Sequence, residues 1–252
     1  MPASRSSIAR RLLWSIALLL GVSLLVQAVF QSSAYEWNWE AAWKYRQQFL
    51  FGWLTMLGIC AGAMVVSVTV GLLLMVGARS AIEPVRLLCH GIIEFIRGTP
   101  LLVQLLIGYY IVANALHLNS PFLIGTLLLG LFEGAYLAEI FRGAIESIGA
   151  SQREAARAVG FSTTQTYRYV IIPQALRRAL PGSTGQLVSL IKDSSLLSVI
   201  GIEELVQKVR ILNSASYTGL EGYVPLAVAY LIVTLPLSLW ARRLERRFAY
   251  ET

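Results

Sequence analysis

Charged side chains are scarce in this chain. Only 14% of its 252 residues are Asp, Glu, Lys or Arg, against about 25% in an ordinary soluble domain. With 56% hydrophobic residues and a mean hydropathy of +0.63, a water-soluble fold would expose extensive apolar surface, whereas a bilayer accepts it. Cysteine is nearly absent too. Cys60 and Cys89 are too few for a disulfide framework, and Cys60 lies in an apolar run where a thiol behaves as a small hydrophobe. His90 and His117 stand far apart without a cluster of further ligands, so no metal site is expected. No G-x-x-x-x-G-K-[ST] loop occurs, which excludes nucleotide binding by that device. Nor does any Ser-His-Asp or Cys-His arrangement offer a nucleophile.

What the chain does have is long apolar runs. Six of them approach the roughly 20 residues needed to cross a hydrocarbon core as a helix: Leu12 to Phe30, Phe49 to Ala78, Leu101 to His117, Pro121 to Phe141, Ser183 to Ile202 and Tyr223 to Ala241. Gln104 interrupts the third, and Lys192 with Asp193 the fifth. The net charge of +7 comes from arginines bunched between these runs. That is the pattern of cytoplasmic loops, not of a nucleic-acid surface. Arg5, Arg10 and Arg11, the arginine-rich stretch from Arg142 to Leu180, and Arg242, Arg243, Arg246 and Arg247 therefore place both termini in the cytoplasm. The more balanced stretch from Glu203 to Gly222 falls outside. The first run also reads as a signal peptide, but it exceeds the usual signal core, so a retained anchor is expected. Tyr35, Trp37, Trp39, Trp43 and Tyr45 suit the headgroup layer. Gly58 and Gly62 form a small-xxx-small pair that lets another helix come close.

Between the fourth and fifth runs lies EAARAVGFSTTQTYRYVIIPQ, Glu154 to Gln174. Ser151 is placed to cap a helix with Glu154 in its first turn, favoured beside exposed amides. Ala155, Ala156 and Ala158 extend that helix, and Gly160 permits the turn that ends it. A second helix is expected from about Ser162 to Val170, stopping near Pro173. The expectation is two short helices at an angle, presented to the cytosol.

These residues resemble the EAA loop of binding-protein-dependent ABC importer permeases, whose pattern is Glu-Ala-Ala, three residues, Gly, nine residues, then Ile-x-Leu-Pro. Glu154, Ala155, Ala156, Gly160, Val170, Ile172 and Pro173 fall in register. One departure is Ser151, where the amino-acid branch often has glycine. FIRGTPLLVQ (95–104), YLAEIFRGAIESI (136–148) and LIKDSSLLSVIGIEEL (190–205) look like that polar amino-acid uptake branch, which handles histidine, glutamine, glutamate, arginine and opines. The resemblance covers Phe49 to Tyr250 and leaves the first run without a counterpart. It implies an all-α, polytopic transmembrane bundle with the type I importer permease (MetI-like) fold, about six spans and a cytoplasmic coupling-helix loop. An anchor and aromatic segment would occupy 1–48, the permease domain 49–241 with the loop at 151–174, and a basic tail 242–252.

The same resemblance implies that the chain is no enzyme, and that ATP and Mg²⁺ belong to partner subunits. The expected partners are a second permease copy or a homologous permease, two ATP-binding subunits, an external or periplasmic solute-binding protein, an amino acid and lipid, with no nucleic acid. The protein would sit in a bacterial inner membrane. Charges in a span cost about 2.5 to 3.5 kcal/mol each on insertion scales, so Glu133, Lys192 and Asp193 are candidates for the substrate path. Lys192 and Asp193 point in different directions, and one of them is expected to find an interhelical partner, Lys192 with Glu133. Ser194, Arg97, Thr99, Pro100, Gln104 and Glu139 are ranked with them. The alternatives are a permease of the same type for an opine, a sulfur amino acid or another small solute, and more remotely a secondary transporter or a membrane scaffold.

Overall fold

The computed structural model describes residues 37–216 and 221–248 apart from the side chains of residues 41, 42 and 248, with isolated helical residues between Trp14 and Ala28. The rest of the expected first span, Leu12 to Phe30, and Arg5, Arg10 and Arg11 lie outside the described residues. Two compact units are distinguished, Met1–Trp39 and Glu40–Thr252. Among the described residues from Trp39 onward the regular elements are all helices: α1 (Trp39–Lys44), α2 (Arg46–Gly77), α3 (Glu83–Gly98), α4 (Leu101–Ile107), α5 (Pro121–Glu146), α6 (Ala150–Ala158), α7 (Thr163–Thr166), α8 (Ile172–Asp193), α9 (Leu205–Ser216) and α10 (Tyr223–Phe248). Wide π turns follow α4 (Gly108–Ala113) and α7 (Tyr167–Ile171), and a 3₁₀ turn (Ser194–Ile200) follows α8.

Among the described residues three helices, α2, α5 and α10, are each long and apolar enough to cross a membrane, and counting each of two bent helix pairs as one span brings the number to five. These five correspond to the second through sixth sequence runs. The third run needs correction: Leu101–Ala113 is the second arm of a pair whose first arm is α3, with 110° between them. The fifth run is longer than expected. Helix continues from Thr163 to Ile200 and then bends by 48° into α9.

Helices α2 and α5 form the centre, and small residues explain how. An added methyl at Gly58 would meet Phe122, at Gly62 Thr126, at Gly130 Val66 and at Gly134 Val70. The contacts advance together along both helices, so α2 and α5 run parallel, each filling the other's notches. Such close approach is how helices gain dispersion energy in lipid, where burial from water supplies little. A core of Met56, Ile59, Leu105, Leu129, Leu190 and Leu197 closes around this seam, and Leu74, Met75, Ile93 and Ala138 close its far end.

Leucine at 130 should separate the pair, because even its Cβ would lie 2.6 Å from Val66 Cβ and 3.0 Å from the Ala63 carbonyl oxygen. Gly130→Leu is expected to lower stability by about 1–3 kcal/mol, read as a lower thermal midpoint in detergent. Gly91→Ala, whose added methyl meets nothing within 4 Å, should not lower it.

Candidate functional site

The loop after α5 begins with a helix end held from outside. Ser147, the C-cap of α5, offers its carbonyl and hydroxyl oxygens to Arg178 Nη1 of α8, at 2.6 and 3.0 Å. Helix α6 then starts at Ala150 with Gly149 as N-cap, so Ser151 is not the cap and Glu154 lies beyond the first turn. The local reason is that Gly149 already adopts the extended cap conformation, two residues earlier than expected. Ala156 is the buried face of α6, while Glu154 and Ala155 are exposed.

The helix ends at Gly160 as expected. Gly160 has φ +85, and the Gly160 and Phe161 amides donate to Arg157 O (2.9 Å) and Ala156 O (3.0 Å). This is the Schellman closure that a left-handed residue makes possible. Ser162 then caps α7 through a reciprocal box with Gln165. Pro173 does not stop this helix. The π turn Tyr167–Ile171 immediately precedes it, and its i→i+5 bonding widens the turn where proline's ring and missing N–H would break an α pattern. Ile148, Ile171 and Ala175 make a small apolar core beneath. Outward, Val159, Phe161, Tyr169 and Ile172 remain substantially exposed, an apolar surface on an otherwise charged loop.

A second set of residues lies in the spans. Glu133 is fully buried and accepts a hydrogen bond from Gln186 Nε2 of α8, while its Oε1 has no donor. Asp193 interacts with the Glu133 carboxyl. Lys192 is exposed, so the expected Lys192–Glu133 pair is replaced by Gln186 and Asp193. The reason is register: residues seven apart on a helix share a face, which puts Gln186 beside Asp193 and turns Lys192 away. That spacing was the available signal for Gln186. Ser194 is fully buried and donates to Ile191 O at 2.7 Å.

The remaining candidates gather elsewhere. Thr99 and Pro100 are extended residues at the bend between α3 and α4. Gln104 Nε2 donates to Ile96 O (2.7 Å), Thr99 Oγ1 (2.7 Å) and Thr99 O (3.2 Å). Gln104 is thus the clasp of a bend. Arg97 sits 3.4 Å from Glu139 Oε2 and over the Tyr136 ring, 5.6 Å from its centroid.

Residues 71–250 match the family described as binding-protein-dependent transport system inner membrane component. The chain belongs to this family. It is the membrane-spanning permease subunit of an ABC importer, with ATP hydrolysis residing in partner subunits. Among its relatives, the glutamine transport system permease protein GlnP of Escherichia coli (strain K12) is 39% identical over 219 residues, 84% of this chain and 98% of that one. The histidine/lysine/arginine/ornithine permease HisM of the same organism is 33% identical, covering 83% and 90%. Of solved structures, an amino acid ABC transporter crystallised with histidines aligns at a TM-score of 0.78 and 34% identity, over 84% of this chain and 100% of that one. The inward-facing MetNI methionine transporter, at 20% identity and a TM-score of 0.63, shares the fold.

Proposed function

We propose that the permease moves a polar amino acid, delivered by a solute-binding protein, through a pore formed with a second copy or a homologous permease. Two ATP-binding subunits, holding ATP and Mg²⁺, dock on the loop from α6 to the start of α8. Both termini lie on the cytoplasmic side, the side favoured by the arginine-rich segments. The observation that carries the substrate class is Glu133. A buried carboxylate oxygen without a donor in mid-span suits an ammonium group that arrives and leaves, since an unpaired buried polar atom is costly. The exposed Lys192, next to Asp193, offers a counterpart for the substrate carboxylate.

The exposed apolar residues Val159, Phe161, Tyr169 and Ile172 support the docking reading, because such residues on a charged loop mark a partner surface. The complex should be reconstituted in proteoliposomes and offered labelled glutamine, glutamate, histidine and arginine. Glu133→Gln, Asp193→Asn and Lys192→Ala are each expected to reduce uptake about ten- to a hundredfold, the equivalent of one lost charge-assisted hydrogen bond. Undiminished uptake by all three variants would remove these residues from the path. Saturable uptake of an opine or a sulfur amino acid, and of none of the four probes, would overturn the substrate class.

A further inference from the structure

We propose that Arg97 is a positioning residue of the transport cycle, the joint through which movement of α5 reaches the bent pair α3–α4. This rests on the reading that the loop after α5 receives the push of the ATP-binding subunits. Helix α5 ends at Glu146, next to that loop, and its last turns carry a charged ladder. Arg142 donates to both oxygens of Glu139, Nε at 2.9 Å and Nη2 at 2.7 Å, and its Nη1 reaches Glu146 Oε2 at 2.5 Å. Glu139, Arg142 and Glu146 are spaced three and four apart, so they stand in one row along the helix. The row therefore moves as part of α5.

Arg97 takes Glu139 Oε2 from the opposite element, at 3.4 Å, and its guanidinium lies over Tyr136, one turn before Glu139. Two contacts to one helix fix both the distance and the direction of the α3 end. That end matters because it is the last turn before the bend. Thr99 and Pro100 are extended and the two axes differ by 110°, so no continuous helix carries displacement from α3 into α4. Gln104 ties the bend to Ile96 and Thr99, which makes Arg97 and the start of α4 move together.

Apolar packing holds α3 along one narrow face, where Cys89 and Ile96 are half-buried on either side of Ile93. Ile93 is its one buried residue, while Val85, Leu88, Ile92 and Phe95 are exposed. The charged joint is itself partly exposed, with side chains 37% and 21% accessible for Arg97 and Glu139. Pairs of that kind add little to stability. Its loss should therefore alter how motion is passed on more than whether the protein folds.

Coupling is read as uptake per ATP hydrolysed by the reconstituted complex with its binding protein. Arg97→Gln and Glu139→Gln are each expected to lower that ratio about tenfold, within the usual range of a coupling free energy between sites, with the KM for uptake unchanged. Arg97→Lys, which keeps the charge beside Glu139, should recover most of it. Arg86→Gln, on the same helix but paired with Glu83 at 3.6 Å, should behave as the parent. Parental ratios in both Gln variants would overturn the proposal. So would a raised KM at an unchanged ratio, the signature of direct substrate contact. Each ratio is compared with that of the parent complex on the same solute, so a mistaken substrate class shows in the parent's uptake and leaves the comparison between variants intact.

Discussion

Replacing Gly160 with valine is expected to uncouple transport while leaving the permease in the membrane. The backbone there has φ +85, and an added Cβ would meet nothing within 4 Å, so the penalty is conformational and not steric crowding from neighbours. A β-branched residue in the left-handed region costs about 1–3 kcal/mol. The loop relieves that cost by giving up the turn. The Schellman bonds of Gly160 and Phe161 to Arg157 and Ala156 would then open, and α6 would lose its fixed angle to α7. A shift of this size changes the population of the bent form about five- to 150-fold. The expected result is loss of ATP-binding subunits on co-purification and a fall in uptake of at least about tenfold, with membrane yield unchanged. Gly160→Asn should be milder, because asparagine enters the left-handed region several-fold more readily. Normal co-purification and uptake by the valine variant would show that the turn has no part in docking.

That turn was readable from sequence because its chemistry is local. Gly160 supplies the left-handed residue, and Ser162 with Gln165 supplies both halves of a capping box. The seams were readable for a related reason: Gly58 and Gly62 recur at the spacing that one face of a helix requires. Where the structure departs from expectation, the cause lies in turns and side-chain clasps that a run of apolar residues does not display. Pro173 was expected to end a helix, and it does not because a π turn precedes it. Helix α3 mixes Glu83, Arg86, Glu94 and Arg97 with apolar residues, too much charge to be read as part of a span. Gln104 interrupts the third apolar run in sequence and is the clasp of its bend in the structure. Arg97, in the RGTP turn, and Glu139, on α5, are far apart in sequence, and no local pattern announces that they face each other. Gln186 carries no charge to mark it in sequence, and only its seven-residue spacing from Asp193 places both on one face of α8.

Glu204 shows what a buried charge does when it has donors. It is fully buried, yet its Oε2 accepts from the Val206 amide and its Oε1 from the Gln207 amide, each at 2.9 Å. These are among the first amides of α9, which no intrahelical carbonyl can satisfy. The carboxylate therefore caps the helix and also meets its positive dipole end. The hydroxyl of Tyr230, on α10, lies beside it. Gly201, at φ +76, has just turned the chain from the segment that bears Lys192 and Asp193, so the cap fixes the direction in which α9 leaves.

Alanine at 204 would strand two amides away from water, at about 1–3 kcal/mol each, beyond the cap itself. The expected result is a Glu204→Ala thermal midpoint well below that of the parent, with faster amide exchange confined at first to 205–216. Glu204→Gln should fall between them. Its single carbonyl oxygen can serve one of the two amides, while its NH₂ group faces the other donor. A Gln midpoint equal to the parent's, with Ala far below, would mean that volume matters at this position and the cap does not. Because α9 packs on the start of α2 through Leu205, Lys208 and Gly52, at the end of the bundle remote from the α6–α7 turn, loosening it should weaken uptake without releasing the ATP-binding subunits. Gly160→Val is expected to lose both uptake and subunits, so co-purification of the ATP-binding subunits separates a fault at one end of the bundle from a fault at the other.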